Sequence, residues 1–339
     1  MITLTLVLII IFALIYDLSN GWNDAAGAIA TVISTRVLSP SKAIIFCAVL
    51  NFIGALFSSE VAKTVGSEIA SPEQLTLSTF LAAVMMAPLW INFCARRGLP
   101  TSCSHALLGA LIGSVIAAAG VDALKAHGIQ KIFFGVIICP PAGFILGNGL
   151  ARLVTWAFKN VNPSVGSVIF GKLQLFSAGA MAFAHGTGDA QKSMGIISGA
   201  LMVKMLGESV HAASSSAQFH IPFWVRLACA VTIAVGTSVG GWKIIRTLGS
   251  RLVHLRTYQG FAAETAAATT IMANTLAGIP ISTTHSITGA ILGVGAARGA
   301  KMVRWGIGKK IVYAWIVTFP VCIVGGALIH KLLMLSGLR

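Results

Sequence analysis

About ten apolar runs, each near the ~20 residues a helix needs to cross a bilayer, fix what this chain can fold into. In hydrocarbon every backbone N–H and C=O must be satisfied within the protein, so runs of this length are helical. They fall at 2–35, 43–59, 77–97, 99–117, 131–157, 173–199, 222–245, 258–278, 279–297 and 311–335. Charged residues make up only 10% of the chain, against about 25% in a soluble domain. The expectation is an all-α polytopic membrane protein. The first run lacks a basic leader and reads as a mature segment, not a cleaved signal. The net charge of +15 does not point to nucleic acid, because Lys and Arg fall in short loops between apolar runs. Six cysteines stand singly, with no Cys-x-x-Cys, so neither zinc nor a disulfide framework is indicated.

Inside the first run lies Asn20-Gly-Trp-Asn-Asp-Ala-Ala-Gly27, whose Asp24 is an acid at membrane depth. Such a group costs about 2.5–3.5 kcal/mol on insertion scales and is a functional candidate by default. The flanking glycines suggest that the helix is broken here. The stretch has an echo in Ala184-His-Gly-Thr-Gly-Asp-Ala-Gln-Lys-Ser-Met-Gly195, where Gly186 and Asp189 follow Gly21 and Asp24 at an offset of 165. Paired interruptions in corresponding places point to a transporter's binding site.

A second motif also occurs twice. Leu99-Pro-Thr-Ser-Cys-Ser-His105 aligns with Ile279-Pro-Ile-Ser-Thr-Thr-His285 at an offset of 180, and the likeness runs on to Gly113 and Gly293. The change of offset places an insertion of about 15 residues in the second half, within 200–221. Both motif runs are short and open with Pro, which suits re-entrant hairpins. The expected halves are 1–158 and 173–339, joined by a cytoplasmic linker at 159–172, the least apolar region. The loop before the 77–97 span holds Glu60, Lys63, Glu68 and Glu73, whereas its counterpart holds Lys243, Arg246, Arg251 and Arg256. Basic loops face the cytoplasm. The halves are therefore expected as inverted repeats, with both termini outside.

Pro and Ser/Thr suit the first turn of a helix, where free N–H groups and the helix dipole attract anions. Two such tips facing each other would hold a tetrahedral oxyanion among Ser102, Cys103, Ser104, Ser282, Thr283 and Thr284. Asp24 and Asp189 would accept a hydrogen bond from a protonated oxyanion, which phosphate supplies near pH 7 and sulfate does not. They would also hold a hard cation such as Na⁺, together with Asn23. Glu264, buried in an apolar span, is a second cation or proton candidate. Lys192, three residues after Asp189, is expected to pair with it. His105 and His285 are expected as orienting hydrogen-bond partners, and Asp17, expected at the membrane interface, is assigned nothing.

With these motifs the chain resembles the inorganic phosphate transporter (PiT) family over nearly its whole length. The resemblance rests on Gly21-Trp-Asn-Asp24, His185-Gly-Thr-Gly-Asp-Ala-Gln-Lys192 and both Pro-x-Ser-x-(Ser/Thr)-His segments. It implies two inverted repeats and secondary transport of phosphate coupled to Na⁺ or H⁺; some relatives carry metal–phosphate complexes or sulfate. Gly188 and Gly27 stand where the family's signatures often have Asn, and each removes an oxygen ligand. The expected partners are inorganic phosphate, the coupling cation and a bacterial-type plasma membrane, with homodimerisation left open. No other cofactor and no enzymatic activity is expected. The alternatives are a sulfate permease of the same fold, a passive anion channel and, least, a membrane enzyme or receptor.

Overall fold

The computed structural model describes residues 4–70, 74–208 and 219–337. The first half runs α1 (Leu4–Ser34), α2 (Pro40–Ala55), α3 (Glu60–Lys63), α4 (Leu77–Arg96), α5 (Cys103–Ala119) and α6 (Ala126–Ala157). The second runs α7 (Pro163–Glu208), α8 (Phe223–Val239), α9 (Trp242–Arg246), α10 (Thr257–Leu276), α11 (Thr283–Ala297) and α12 (Trp305–Leu335). The order of long, bent and short helices in the first half recurs in the second. Short helix α3 winds on as a π-helix, Thr64–Glu68, and α9 as another, Thr247–Leu252. The supposed loops bearing Glu60, Lys63 and Glu68, or Lys243, Arg246 and Arg251, are these helical pieces.

Among the described residues, five helices are long and apolar enough to cross a membrane alone, and up to seven spans result if each bent pair counts as one. The chain is an integral membrane protein, and its outer face is the apolar one: Ile137 and Ile145 on α6 and Ile316 and Leu332 on α12 point outward. At 17 and 15 residues, α5 and α11 are too short to cross unaided. Each is preceded by a turn at a left-handed glycine, Gly98 (φ +67°) or Gly278 (φ +68°), that returns the chain from α4 or α10.

Broken helices exist, but not where the glycines placed them. The breaks lie between α2 and α3, bent by 64°, and between α8 and α9, bent by 61°. Helix α1 runs unbroken through Asn20–Gly27, and α7 runs unbroken through Ala184–Gly195. The glycines serve close packing instead. A Cβ on Gly21 would stand 2.4 Å from the Ile233 carbonyl oxygen of α8, and one on Gly186 would stand 2.1 Å from that of Asn51 in α2. Residues 159–172 form a turn and then the first turns of α7. The insertion assigned to 200–221 falls partly on 209–218, which lie outside the described residues.

The halves interlock. Helix α5 packs on α12, where Gly113 would meet the Ile323 oxygen at 1.9 Å; α11 packs on α6, where Gly293 would meet that of Phe144 at 2.1 Å. Two apolar cores result, and each draws on both halves. One gathers around α4 and α5, with Ile9 and Ala13 of α1 and Ile196 of α7. The other gathers around α10 and α11, with Ala28 and Ile29 of α1 and Ala178 of α7. Helices α1 and α7 run antiparallel through both. Basic residues cluster at one end: Arg36, Lys159 and Arg256 line one recess, and Lys243 donates to the Arg96 carbonyl oxygen at 2.8 Å.

Candidate functional site

Where α1 and α7 pass from one core to the other, the tips of α5 and α11 meet. Ser102 and Ser282 cap these helices, accepting from the backbone N–H of His105 at 3.1 Å and of His285 at 3.3 Å. The Ser104 hydroxyl crosses the junction to the Ile281 carbonyl at 2.7 Å. At a helix start the first N–H groups lack intrahelical partners, so those of Cys103, Ser104, Thr283 and Thr284 converge there.

The two aspartates are brought to this junction. The Thr284 hydroxyl bonds Asp24, and the Thr283 oxygen lies 3.2 Å from a carboxylate oxygen of both Asp24 and Asp189. Cys103 sits beside Asp24, and Asn20 beside Asp189. The Lys192 ammonium pairs with Asp189, as expected from their spacing, and His185 Nε2 lies 3.5 Å from it. Thr283 has a single hydroxyl proton and so donates to one carboxylate at a time. Its other contact calls for a proton on that carboxyl or a cation between the oxygens. Carboxylate oxygens of Asp24 and Asp189 and a ring nitrogen of His185 lie within 4.8 Å of one another, close enough for one cation. Next to Asp24 in the chain, the Asn23 amide nitrogen binds the Ser19 carbonyl at 2.8 Å, which leaves its buried oxygen unpartnered. All these side chains are buried.

Four further residues singled out by the sequence stand apart from the aspartate pair. His105 and His285 do not orient anything by hydrogen bonds, since all four ring nitrogens lack partners. Their rings pack edge to face at 4.4 Å, and that of His285 lies 3.8 Å from Trp315. Glu264 does not join the aspartates. It binds Ser177 and Gln174, beside Thr31, and Gln174 lies 15 residues before Asp189 on α7, about 22 Å along the helix. Asp17 is fully buried, not interfacial.

Sequence reasoning passed over His185, whose Nδ1 lies 2.8 Å from Asn51 Oδ1, and Gln191, whose oxygen accepts the Val61 N–H of α3 at 2.7 Å. Their signal was present in the echoed stretch, where His185 stands one helical turn before Asp189. At Gly27 and Gly188 an added side chain would crowd a neighbouring one. A Cβ there would lie 2.7 Å from Ile287 Cγ2 or 3.0 Å from Thr275 Oγ1.

Residues 20–167 and 158–326 match the family described as the phosphate transporter family. The chain belongs to that family. Among this transporter's relatives is a probable low-affinity inorganic phosphate transporter of Rhizobium meliloti (strain 1021), 42% identical over 96% of this chain and 95% of its own length. Another, under the same description, is from Bacillus subtilis (strain 168), 40% identical over 96% of both chains. A solved structure named "The sodium-dependent phosphate transporter" superposes with a TM-score of 0.90 over 98% of this transporter and all of that chain. At 23% identity that likeness speaks for the fold. The family and its relatives are transporters, not enzymes.

Proposed function

We propose that this transporter is a symporter that imports inorganic phosphate by alternating access around the Asp24–Asp189 junction, driven by Na⁺ or H⁺. The observation that carries the reading is the meeting of two Ser-capped helix tips over two buried aspartates. Free N–H groups at the tips suit the oxyanion. The carboxylates suit a proton that the oxyanion brings, or a hard cation that enters with it. Phosphate supplies that proton near neutral pH and sulfate does not, which favours phosphate within the same fold. A Na⁺ would find oxygens from Asp24, Asp189, Asn23 and Thr283. Glu264, with Gln174 and Ser177, offers a separate cation or proton site toward the basic end.

The site lies at the seam between two apolar cores, so those cores are the natural moving bodies, and α1 and α7 are their shared axis. Coupling then requires that anion and cation each favour the closed state. The antiparallel course of α1 and α7 supports two inverted repeats over 1–158 and 173–339. The basic end faces the cytoplasm of a plasma membrane, which leaves both termini outside.

Phosphate uptake into proteoliposomes tests the site. Asp24→Asn should abolish concentrative uptake while the purified protein elutes as wild type does, and excess sulfate should compete poorly with labelled phosphate. Normal accumulation by the variant would reject the site, and equal competition by sulfate would reject the choice of substrate.

A further inference from the structure

Asp17 lies seven residues before Asp24, two turns away on the same face of α1 and about 10 Å along it. Ser193 is four residues beyond Asp189 on the facing helix α7. The two meet: the Ser193 hydroxyl donates to Asp17 Oδ1 at 2.6 Å. The other carboxylate oxygen, Oδ2, is buried and has no partner. The ionisable groups that face Asp17 are Tyr16 on α1, Asp189 and Lys192 on α7, and Cys229 on α8. Helix α4 faces this stretch through Asn92, which donates to Ser19 at 3.1 Å. Lys192 is committed to Asp189, and among the described residues no cationic side chain pairs with Asp17.

This sets Asp17 apart from the site acids. Asp189 has an ammonium and an imidazole beside it, and Asp24 has two hydroxyls. Asp17 has one hydroxyl, the weakly donating thiol of Cys229 beside it and no counter-charge. A carboxylate sealed in an apolar interior without compensation takes up a proton or a cation. A hard cation prefers several oxygens. Around Asp17 it would find the hydroxyls of Ser193 and Tyr16 and the Cys229 thiol. A proton on Oδ2 needs none of these. The Tyr16 hydroxyl, itself buried and unpartnered, stands within electrostatic reach of Asp17, Asp24 and Asp189.

We propose that Asp17 is a proton-binding site of the transport cycle, linked electrostatically to Asp24 and Asp189. When the protein opens to one side, Oδ2 takes a proton from water there. In the closed state the acid is neutral and accepts from Ser193. When the protein opens to the other side, the proton leaves to that water, and the carboxylate charge returns. The assignment rests on the symport reading and narrows it by naming a carrier for H⁺.

The test pairs transport with a measurement that does not need transport. In proteoliposomes, Asp17→Asn should keep phosphate–phosphate exchange and lose accumulation driven by a pH gradient. Asp17→Glu should restore that accumulation with a displaced pH profile. In purified wild-type protein, infrared difference spectra should show the carbonyl stretch of a protonated buried carboxyl that titrates away at high pH. That band should be missing in Asp17→Asn and moved in Asp17→Glu. Undiminished pH-driven accumulation by Asp17→Asn would overturn the assignment, as would an infrared spectrum that the substitution leaves unchanged. Loss of Na⁺-driven accumulation alone would make Asp17 a cation ligand and overturn it too. A wild-type protein that neither exchanges nor accumulates phosphate would sink the transport reading, and the infrared comparison would still decide Asp17. Should Asp17→Asn not fold, Asp17→Glu and Ser193→Ala carry the same comparison, each expected to shift the band and the pH profile together.

Discussion

The ion pair of Asp189 and Lys192 offers a test in which stability and transport separate. Both side chains are sealed, at 0% and 1% exposure. Removing one member of a buried pair leaves an uncompensated charge and costs about 3–5 kcal/mol, whereas replacing both is often near neutral. Lys192→Met leaves Asp189 with the Thr283 hydroxyl and His185, at 3.2 and 3.5 Å, so its cost should lie near the lower figure. Asp189→Asn leaves the Lys192 ammonium without its carboxylate, and its cost should lie near the upper. At about 2 °C per kcal/mol, the single variants should melt about 6–10 °C below wild type. The double variant should melt closer to wild type than either single one. Thermal unfolding of the purified protein in detergent, at one scan rate for all four forms, reads this directly, and a fixed rate matters because membrane proteins often unfold irreversibly. Uptake should stay absent in the double variant, because Asp189 belongs to the site and not only to the pair. Single variants within about 2 °C of wild type, or a double variant that loses the sum of both, would refute the reasoning.

Other outcomes follow from packing and from Glu264. Gly113→Val places carbons against the Ile323 backbone of α12, where even a Cβ would lie 1.9 Å from the carbonyl oxygen, so its yield of folded protein by size-exclusion chromatography should collapse. Gly149→Val, where nothing lies within 4 Å, should behave as wild type in the same assay. Glu264→Gln keeps an oxygen for the Gln174 amide, and its new NH2 donates to the Ser177 hydroxyl, which can accept, so the variant should fold normally. Its uptake, measured against driving cation at fixed phosphate, should need more cation and leave the phosphate dependence little changed.

Helix positions were legible because apolar run length dictates them, and both tip motifs were legible because Pro, Ser and Thr act locally at a helix start. The meeting of the tips followed from their recurrence. The state of α1 was not legible. Glycine in an apolar helix can mark a break or a close approach, and only the carbonyl of Ile233 against Gly21 decides between them. The true breaks, near Phe57–Ser59 and Gly240–Gly241, carry weaker signals. His105 and His285 were misread because a histidine beside a capped tip suggests hydrogen bonding, whereas ring packing on Trp315 depends on a helix far along the chain. Asp17 looked interfacial because it falls midway along a run whose depth the sequence does not set, and its burial depends on Ser193, 176 residues on.

The exchange of partners between α5 and α12 bears on how the protein is made. Gly113 has its neighbour at Ile323, about 210 residues later. At the usual ~5–20 residues per second, the ribosome needs about 10–40 s to supply it. Helix α1 waits similarly for α8, since Gly21 rests on Ile233. A newly inserted first half therefore sits in the bilayer with its glycine grooves facing lipid, unable to finish alone. Truncation after residue 158 should leave a species for quality control to remove, and co-expression of the two fragments should rescue it.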